Sequence, residues 1–236
     1  QPRTASDQTD ADRRAAVRLE LAGGYFSRGQ YETALDEIKL ALVARPDLGS
    51  AYNLRGLVHA AMGEDRLADE SFQRALAINP RDAEAMHNRA WFLCQRDRFD
   101  EADRLFEQAI QQPQYRDVQR SLMAQGVCMA RAGKLPEAER KLVRAYELDP
   151  ANPTTALNLS EVLYRRGDYE RARFYIRRVN AREELANAQT LWLALRIENR
   201  MGNRSGIEEY ARQLRSRFPQ SPEAQAQLKK LRATMI

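Results

Sequence analysis

The sequence predicts an all-α fold, an α-α superhelix (solenoid) of six helical hairpins followed by a C-terminal capping helix. Small residues recur at a spacing of 34, as at Ala34, Ala68 and Ala102. Apolar residues within each segment follow the spacing of an amphipathic helix, and no alternating strand pattern appears. Because a fixed period of this length is typical of repeat architectures, the hairpins are expected to stack on their neighbours.

The stretch from Asp47 to Pro80 shows the repeat most clearly. Gly56 and Ala68 are small enough for two helices to cross closely, and Gly63 suits the left-handed turn that ends the first helix. Pro80 stops the second helix, because proline cannot continue it. This punctuation is the tetratricopeptide pattern, a helix-turn-helix unit of 34 residues.

The same register divides the whole chain. Residues 1–10 are expected to form a flexible N-terminal tail, and residues 11–236 a single solenoid domain whose first helix is capped by Asp10 or Asp12. The repeats are expected at about 15–48, 49–82, 83–118, 119–152, 153–187 and 188–221, with a cap at 222–233. The first helix of the last repeat is expected over about 183–201. The turns between paired helices are expected at Gly29, Gly63, Asp97, Gly133, Gly167 and Gly202.

The charge of the chain is uneven. The net charge is +5, but residues 151–236 hold 16 Lys/Arg and 9 Asp/Glu, whereas residues 1–150 hold 22 and 24. A basic C-terminal third could meet an acidic partner, nucleic acid or anionic lipid, although a solvated arginine-rich surface is the simpler interpretation. No nucleic-acid-binding motif accompanies it, so no nucleic acid is expected as a partner. No apolar run approaches the ~18 residues of a membrane span.

The first helices of stacked repeats are expected to line a concave groove. The side chains predicted to form a partner-binding surface there are Leu19, Phe26, Asn53, Leu57, His87, Trp91, Tyr164 and Trp192. The N-terminal half of this surface is apolar with a few amides, and the C-terminal half is aromatic and cationic. A groove of this kind suits an amphipathic or extended peptide. The alternative is that individual side chains among these pack between neighbouring repeats.

Catalytic and metal-binding patterns are absent from the sequence. The two histidines, His59 and His87, fall in different repeats, and His59 takes a position typical of packing. Two cysteines without a CxxC spacing make a poor zinc site, and no phosphate-binding loop or nucleophile signature is present. We therefore expect a non-enzyme with no catalytic residues, no metal and no cofactor.

Cys94 and Cys128 fall late in the first helices of adjacent repeats. A disulfide needs their Cα atoms to lie within ~7 Å of each other, which side-by-side helices allow. In an oxidising compartment the bond is expected, and in the cytosol two buried free thiols would be the default. The residues alone leave both alternatives open.

Three stretches carry a resemblance beyond the repeat itself. The first is LELAGGYFSRGQYETALDEIKLAL with AYNLRGLVHAAMGEDRLADESFQRAL, and the second is RGDYERARFYIRRV with LWLALRIENRMGN. The third stretch is HNRAWFLCQ, which is similar to the signature motif of a known family. The residues that match the motif are Asn88, Trp91, Phe92, Leu93 and Cys94. Over about residues 12–222 the chain resembles the type IV pilus biogenesis/stability lipoproteins, which are called pilotins.

The resemblance implies a function and a location. It implies a protein on the periplasmic side of the outer membrane of a Gram-negative bacterium, held there by a lipidated N-terminal cysteine that this chain does not contain. We expect the protein to be a monomer. It implies a role in localising and multimerising the type IV pilus secretin, and so in stabilising pili. It also favours the Cys94–Cys128 disulfide, because the periplasm is oxidising.

Two other functions remain as alternatives. One is a general tetratricopeptide adaptor for another protein complex, which reduced cysteines in the native protein would favour. The other is a regulator of an envelope enzyme, such as a glycan polymerase, which activation of that enzyme by the purified chain would reveal.

Overall fold

The structure of the protein is a computed structural model that describes residues 9–234. This part of the chain contains 13 α-helices and no strand, so the predicted all-α class is confirmed. The helices are α1 (Asp10–Ser27), α2 (Tyr31–Ala44), α3 (Gly49–Ala61), α4 (Asp65–Ile78), α5 (Ala83–Gln95), α6 (Phe99–Ile110), α7 (Val118–Arg131), α8 (Leu135–Leu148), α9 (Pro153–Arg165), α10 (Tyr169–Asn180), α11 (Ala188–Arg200), α12 (Arg204–Arg217) and α13 (Pro222–Thr234). Within residues 9–234, every helix is too short or too polar to serve as a membrane span.

Contacts divide the chain into two compact units, residues 1–121 and residues 122–236, and α7 contains the boundary. In the first unit α1 packs with α2, α3 with α4, and α5 with α6 as antiparallel hairpins. In the second unit α9 packs with α10 and α11 with α12, while α13 covers both α11 and α12. The predicted capping helix is therefore present. The organisation of all repeats as a single domain remains a prediction.

The turns inside the hairpins lie where the repeat predicts them. Each turn contains one residue in the left-handed region, and five of these are glycines with φ between 68° and 80°. The sixth is Asp97, with φ 60°, the only non-glycine residue with positive φ in the described part of the chain. Aspartate tolerates this region better than most residues, which explains how it replaces glycine in the third hairpin.

Two helix starts differ from the prediction. Helix α1 is capped by Thr9, whose hydroxyl accepts from the Asp12 amide, while the Asp12 carboxylate accepts from the Thr9 amide. The predicted caps Asp10 and Asp12 are thus both inside the helix, because Thr9 completes a capping box. The predicted tail of residues 1–10 lies, as far as residue 8, outside the described residues.

The first helix of the last hairpin, α11, begins at Ala188 instead of at about residue 183. Asn187 caps it by accepting from the Thr190 amide at 2.9 Å, and the Thr190 hydroxyl accepts from the Asn187 amide at 2.9 Å. Residues 181–187 form an irregular connection. The prediction was wrong here because an asparagine cap inside a polar stretch has no apolar periodicity to mark it.

The crossing of α3 and α4 depends on Gly56. A Cβ at this position would lie 2.6 Å from the Cδ1 and Cε1 atoms of Phe72, which is fully buried. A Cβ on Gly126 would likewise lie 2.6 Å from the Cγ atom of Leu142. Gly24 in α1 is different, since a Cβ there would meet only the end of Arg28, at 3.9 Å.

We expect Gly56→Ala and Gly24→Ala to change stability in opposite directions. Gly56→Ala should lower the free energy of unfolding by about 1–3 kcal/mol, because the Phe72 ring has no free space to move into. Gly24→Ala should raise it by roughly 0.5–1 kcal/mol, because alanine is the better helix former. Urea unfolding followed by Trp91 fluorescence, in a Trp192→Phe background, measures both. Equal midpoints for the two variants would contradict the close crossing.

Candidate partner-binding site

The first helices of the three N-terminal hairpins carry the predicted binding residues of the first unit. Helix α1 contacts α3, and α3 contacts α5. Leu19 and Phe26 on α1, Leu57 on α3 and Trp91 on α5 are all half-buried. Each of these apolar side chains therefore keeps part of its area in solvent, which a partner could cover.

An amide pair joins α3 to α5. The Asn88 Nδ2 donates to Asn53 Oδ1 at 3.1 Å. Leu57 follows Asn53 by one helical turn, and Trp91 follows Asn88 by nearly one turn, so the two apolar side chains lie on the same side of the pair. This hydrogen bond does not use the NH₂ group of Asn53 or the oxygen of Asn88. The arrangement places amide donors and acceptors beside half-buried apolar surface.

Leu19 and Phe26 are partly committed to the fold. Both pack against a core that includes the fully buried Ala22 and Val58, and the ring of Phe26 lies 5.9 Å from that of Tyr31. Their exposed portions can still contact a partner, but changing them would also disturb this core. Leu57 and Trp91 are therefore the better residues for testing a binding role.

His87 requires a correction. The structure buries this side chain, with 7% of its surface exposed, so it does not line a groove. Its Nδ1 lies 2.7 Å from the Ser121 hydroxyl oxygen, which lies 2.8 Å from the Tyr115 hydroxyl oxygen, and its ring packs edge-on against Phe106. The hydrogen bond and the aromatic contact draw the imidazole inward, and neither partner is visible in the repeat pattern.

Burial makes this histidine sensitive to acid. Loss of solvation, helped by the nearby Arg120 cation, lowers the pKa of His87 from 6.5 to about 4. The unfolded chain therefore binds this proton more tightly than the folded chain. His87 contributes its full stability above pH 6.5, and this contribution is lost as the pH falls from 6.5 towards 4.

We expect the free energy of unfolding to fall by about 2 kcal/mol between pH 7.5 and pH 5 because of His87 alone. The variant His87→Gln removes the titrating group, so its unfolding free energy should change less over this range. Urea midpoints at several pH values, compared between the two proteins, measure the difference. Parallel pH profiles would show that this histidine is not buried in its neutral form.

In the second unit, Tyr164 and Trp192 are half-buried and lie near cations. The Arg196 guanidinium lies 5.0 Å from the centre of the Tyr164 ring and also binds Glu161 at 2.9 Å. The Lys230 Nζ lies 5.5 Å from the Trp192 ring. These cation–π contacts hold the aromatic side chains in place and give this surface a mixed cationic and aromatic character.

Both cysteines of the chain, Cys94 and Cys128, are disulfide-bonded in the structure. Their side chains are buried, with 0% and 3% of the surface exposed. The bond that the sequence left open is therefore present. Structural disulfides of this kind persist in oxidising compartments.

Metal binding and the second histidine are the remaining features to describe. Within residues 9–234, no cluster of three or more His, Cys, Asp or Glu side chains could hold a metal ion. His59, the other histidine, is buried and its Nδ1 lies 2.9 Å from a carboxylate oxygen of Glu64. This contact fits the packing role that the sequence predicted for it.

Sequence reasoning missed two features of the second unit. One is the buried carboxylate of Glu198, held by Arg173 and Asn203. Nothing in the sequence signals it, because the ion pair joins α10 to α11. The other is the exposed ring of Phe174 in α10, which an alignment of the repeats could have revealed.

Comparison with known families identifies the repeats. Four tetratricopeptide repeat models match the chain, at residues 49–82, 71–104, 93–153 and 129–193. Together they extend through the helices that carry most of the predicted binding residues.

The similarity to some known proteins extends over nearly the whole chain and not only over single repeats. The chain is 29% identical over 228 residues to the type IV pilus assembly protein PilF of Pseudomonas aeruginosa, covering 94% of this chain and 90% of that protein. The crystal structure of PilW, described as a widely conserved type IV pilus biogenesis factor, aligns with TM-score 0.84 and 30% identity, over 91% of this chain and 98% of PilW. A structure of Pseudomonas aeruginosa PilF aligns with TM-score 0.81 and 26% identity, over 94% of this chain and all of the other.

Proposed function

Because the chain belongs to the family of tetratricopeptide-repeat type IV pilus biogenesis proteins that includes PilW and PilF, we propose that it is a pilotin. In this role it assists the localisation and multimerisation of the pilus secretin, and thereby stabilises pili. Like the other repeat scaffolds of this family, it is a non-enzymatic protein-interaction protein.

The observation that carries the proposal is the half-buried surface of Leu57 and Trp91 beside the Asn53–Asn88 amide pair. Covering the remaining apolar area of these two side chains is worth roughly 1–2 kcal/mol each. The amides can bond to the N–H and C=O groups of a bound main chain. An extended secretin segment that presents apolar side chains therefore fits this surface better than a fully hydrogen-bonded helix does.

The proposal extends to the second unit and to the location of the protein. The cationic and aromatic surface of Tyr164, Arg196 and Trp192 offers a second contact for the same partner. The disulfide supports an oxidising compartment, and we place the chain, as a monomer, at the periplasmic side of the outer membrane.

The double variant Leu57→Asp and Trp91→Arg tests this function. Placing unpaired charges against an apolar segment should weaken binding at least about 100-fold, or about 2.7 kcal/mol. In native host cells we expect loss of most secretin multimers on denaturing gels and loss of surface pili. Circular dichroism and Trp192 fluorescence of the purified variant show whether it remains folded.

A matched control is Leu40→Asp. Leu40 is 45% exposed on α2, outside the proposed surface, so this variant makes a similar change elsewhere in the first unit. It should leave secretin multimers and pili at wild-type levels. Normal multimers in cells carrying the folded double variant would refute the proposed site.

A further inference from the structure

Phe174 departs from the repeat pattern on the surface of α10. It is the sixth residue of the second helix in its hairpin, and this position is exposed in all six hairpins. In the other five hairpins the position carries a charged residue: Asp36, Glu70, Arg104, Arg140 and Glu209. Only the fifth hairpin places a large apolar side chain there, with 53% of its surface in solvent.

Neighbouring side chains hold the ring in an orderly arrangement. The Tyr175 ring meets it edge-on at 5.1 Å and 82°, and the Arg178 guanidinium lies 5.6 Å from its centre. An open cleft of about 430 Å³ surrounds it, lined by Glu170, Arg173, Phe174, Arg177, Arg178 and Ala181. All of these residues belong to α10 or to its C-cap. The ring therefore has an aromatic and a cationic neighbour on its own helix.

The three arginines of this surface differ in whether they have a carboxylate partner. Arg173 binds the buried Glu198 through two hydrogen bonds, and Arg177 lies 3.6 Å from the same carboxylate. Arg178 has no carboxylate partner among residues 9–234. Its planar guanidinium, aligned over an aromatic ring, remains available to bind an external carboxylate through two parallel hydrogen bonds.

The local charge decides between a membrane and a protein. An anionic bilayer would attract a surface with several uncompensated cations and several apolar side chains. Here the Glu198 carboxylate faces both Arg173 and Arg177, Glu170 adds a further negative charge, and Phe174 is the only large apolar side chain that α10 leaves exposed. An exposed aromatic ring beside an arginine is instead the combination enriched in protein–protein contacts.

We propose that the α10 face formed by Phe174, Arg177 and Arg178 is a docking surface for a protein partner, distinct from the surface proposed to bind the secretin. The partner segment places a carboxylate against Arg178 and an aliphatic or aromatic side chain against Phe174.

Photo-crosslinking in native host cells tests the docking surface. Phe174 is replaced by the photo-reactive amino acid p-benzoyl-phenylalanine, and the matched control carries the same amino acid in place of Glu209, at the same repeat position of α12. We expect the Phe174 position to give at least tenfold more polypeptide crosslink than the control. Mass spectrometry of the crosslinked peptide should find Asp or Glu next to an apolar residue. Adding Arg178→Glu should lower the crosslink at least tenfold.

Other outcomes overturn the proposal. These are polypeptide crosslinking no stronger than in the control, a crosslinked segment without acidic residues, or crosslinking to a second copy of the chain. Sedimentation of the wild-type chain, but not of Arg178→Glu, with vesicles of phosphatidylcholine and phosphatidylglycerol (3:1) would assign the surface to lipid. The result is independent of the secretin site, because the crosslink can be read in cells carrying Leu57→Asp and Trp91→Arg.

Discussion

Glu198→Gln should lower the free energy of unfolding of the second unit by about 3–5 kcal/mol. The carboxylate is buried, with 1% of the residue exposed. Arg173 donates to its two oxygens at 2.9 and 2.8 Å, and the Asn203 Nδ2 donates at 2.6 Å. An amide keeps the shape of the side chain but offers one acceptor oxygen instead of two. The Arg173 guanidinium, 21% exposed, would then keep its charge without a matching anion.

Fluorescence of Trp192 during urea unfolding, in a Trp91→Phe background, reports on this unit. Glu209→Gln is the matched control, because its carboxylate binds Arg212 on the surface, and its midpoint should not change. The double variant Arg173→Met and Glu198→Leu should recover much of the lost stability, since an apolar pair carries no desolvation penalty. An unchanged urea midpoint for Glu198→Gln would show that the buried ion pair does not stabilise the second unit.

Reduction of the disulfide should have a similarly large effect. The bond between Cys94 and Cys128 closes a loop of about 35 residues, and the loss of chain entropy in the unfolded state corresponds to about 4 kcal/mol. We expect a phosphine reductant to lower the urea midpoint strongly once mass spectrometry shows both thiols free.

The double variant Cys94→Ala and Cys128→Ala provides the control. Its midpoint should match that of the reduced protein closely and should not respond to the reductant. An identical midpoint for the oxidised and fully reduced wild-type protein would mean that the bond does not stabilise the fold.

The sequence predicted features that repeat and missed those that occur once. The turn residues were located correctly, including Asp97, because a left-handed position must recur whenever two helices reverse direction after the same number of residues. The start of α11 was not predicted correctly, because it depends on the single capping pair of Asn187 and Thr190. The hydrogen bonds of this cap, and not the repeat spacing, determine where α11 begins.

The same distinction applies to the candidate site. Leu57 and Trp91 occupy equivalent positions in neighbouring repeats, and the structure leaves both half-buried. His87 is equivalent to Asn53, yet it is buried, because Ser121 and Phe106 provide a hydrogen bond and an aromatic contact specific to that place. A repeat position defines a direction on the helix, but the neighbouring side chains decide whether a residue stays at the surface.

The irregular connections at residues 112–117 and 181–187 bear on how the chain can be engineered. Both contain the residues by which a repeat exceeds 34, and both lie between hairpins. Within this chain the repeats thus differ in length where two hairpins join, and each left-handed turn keeps a single residue with positive φ. A fluorescent protein or epitope tag inserted after Gln114 should be tolerated, whereas the same insertion at Gly63 should prevent α3 and α4 from pairing. The repeat spacing itself therefore indicates where this protein accepts a label.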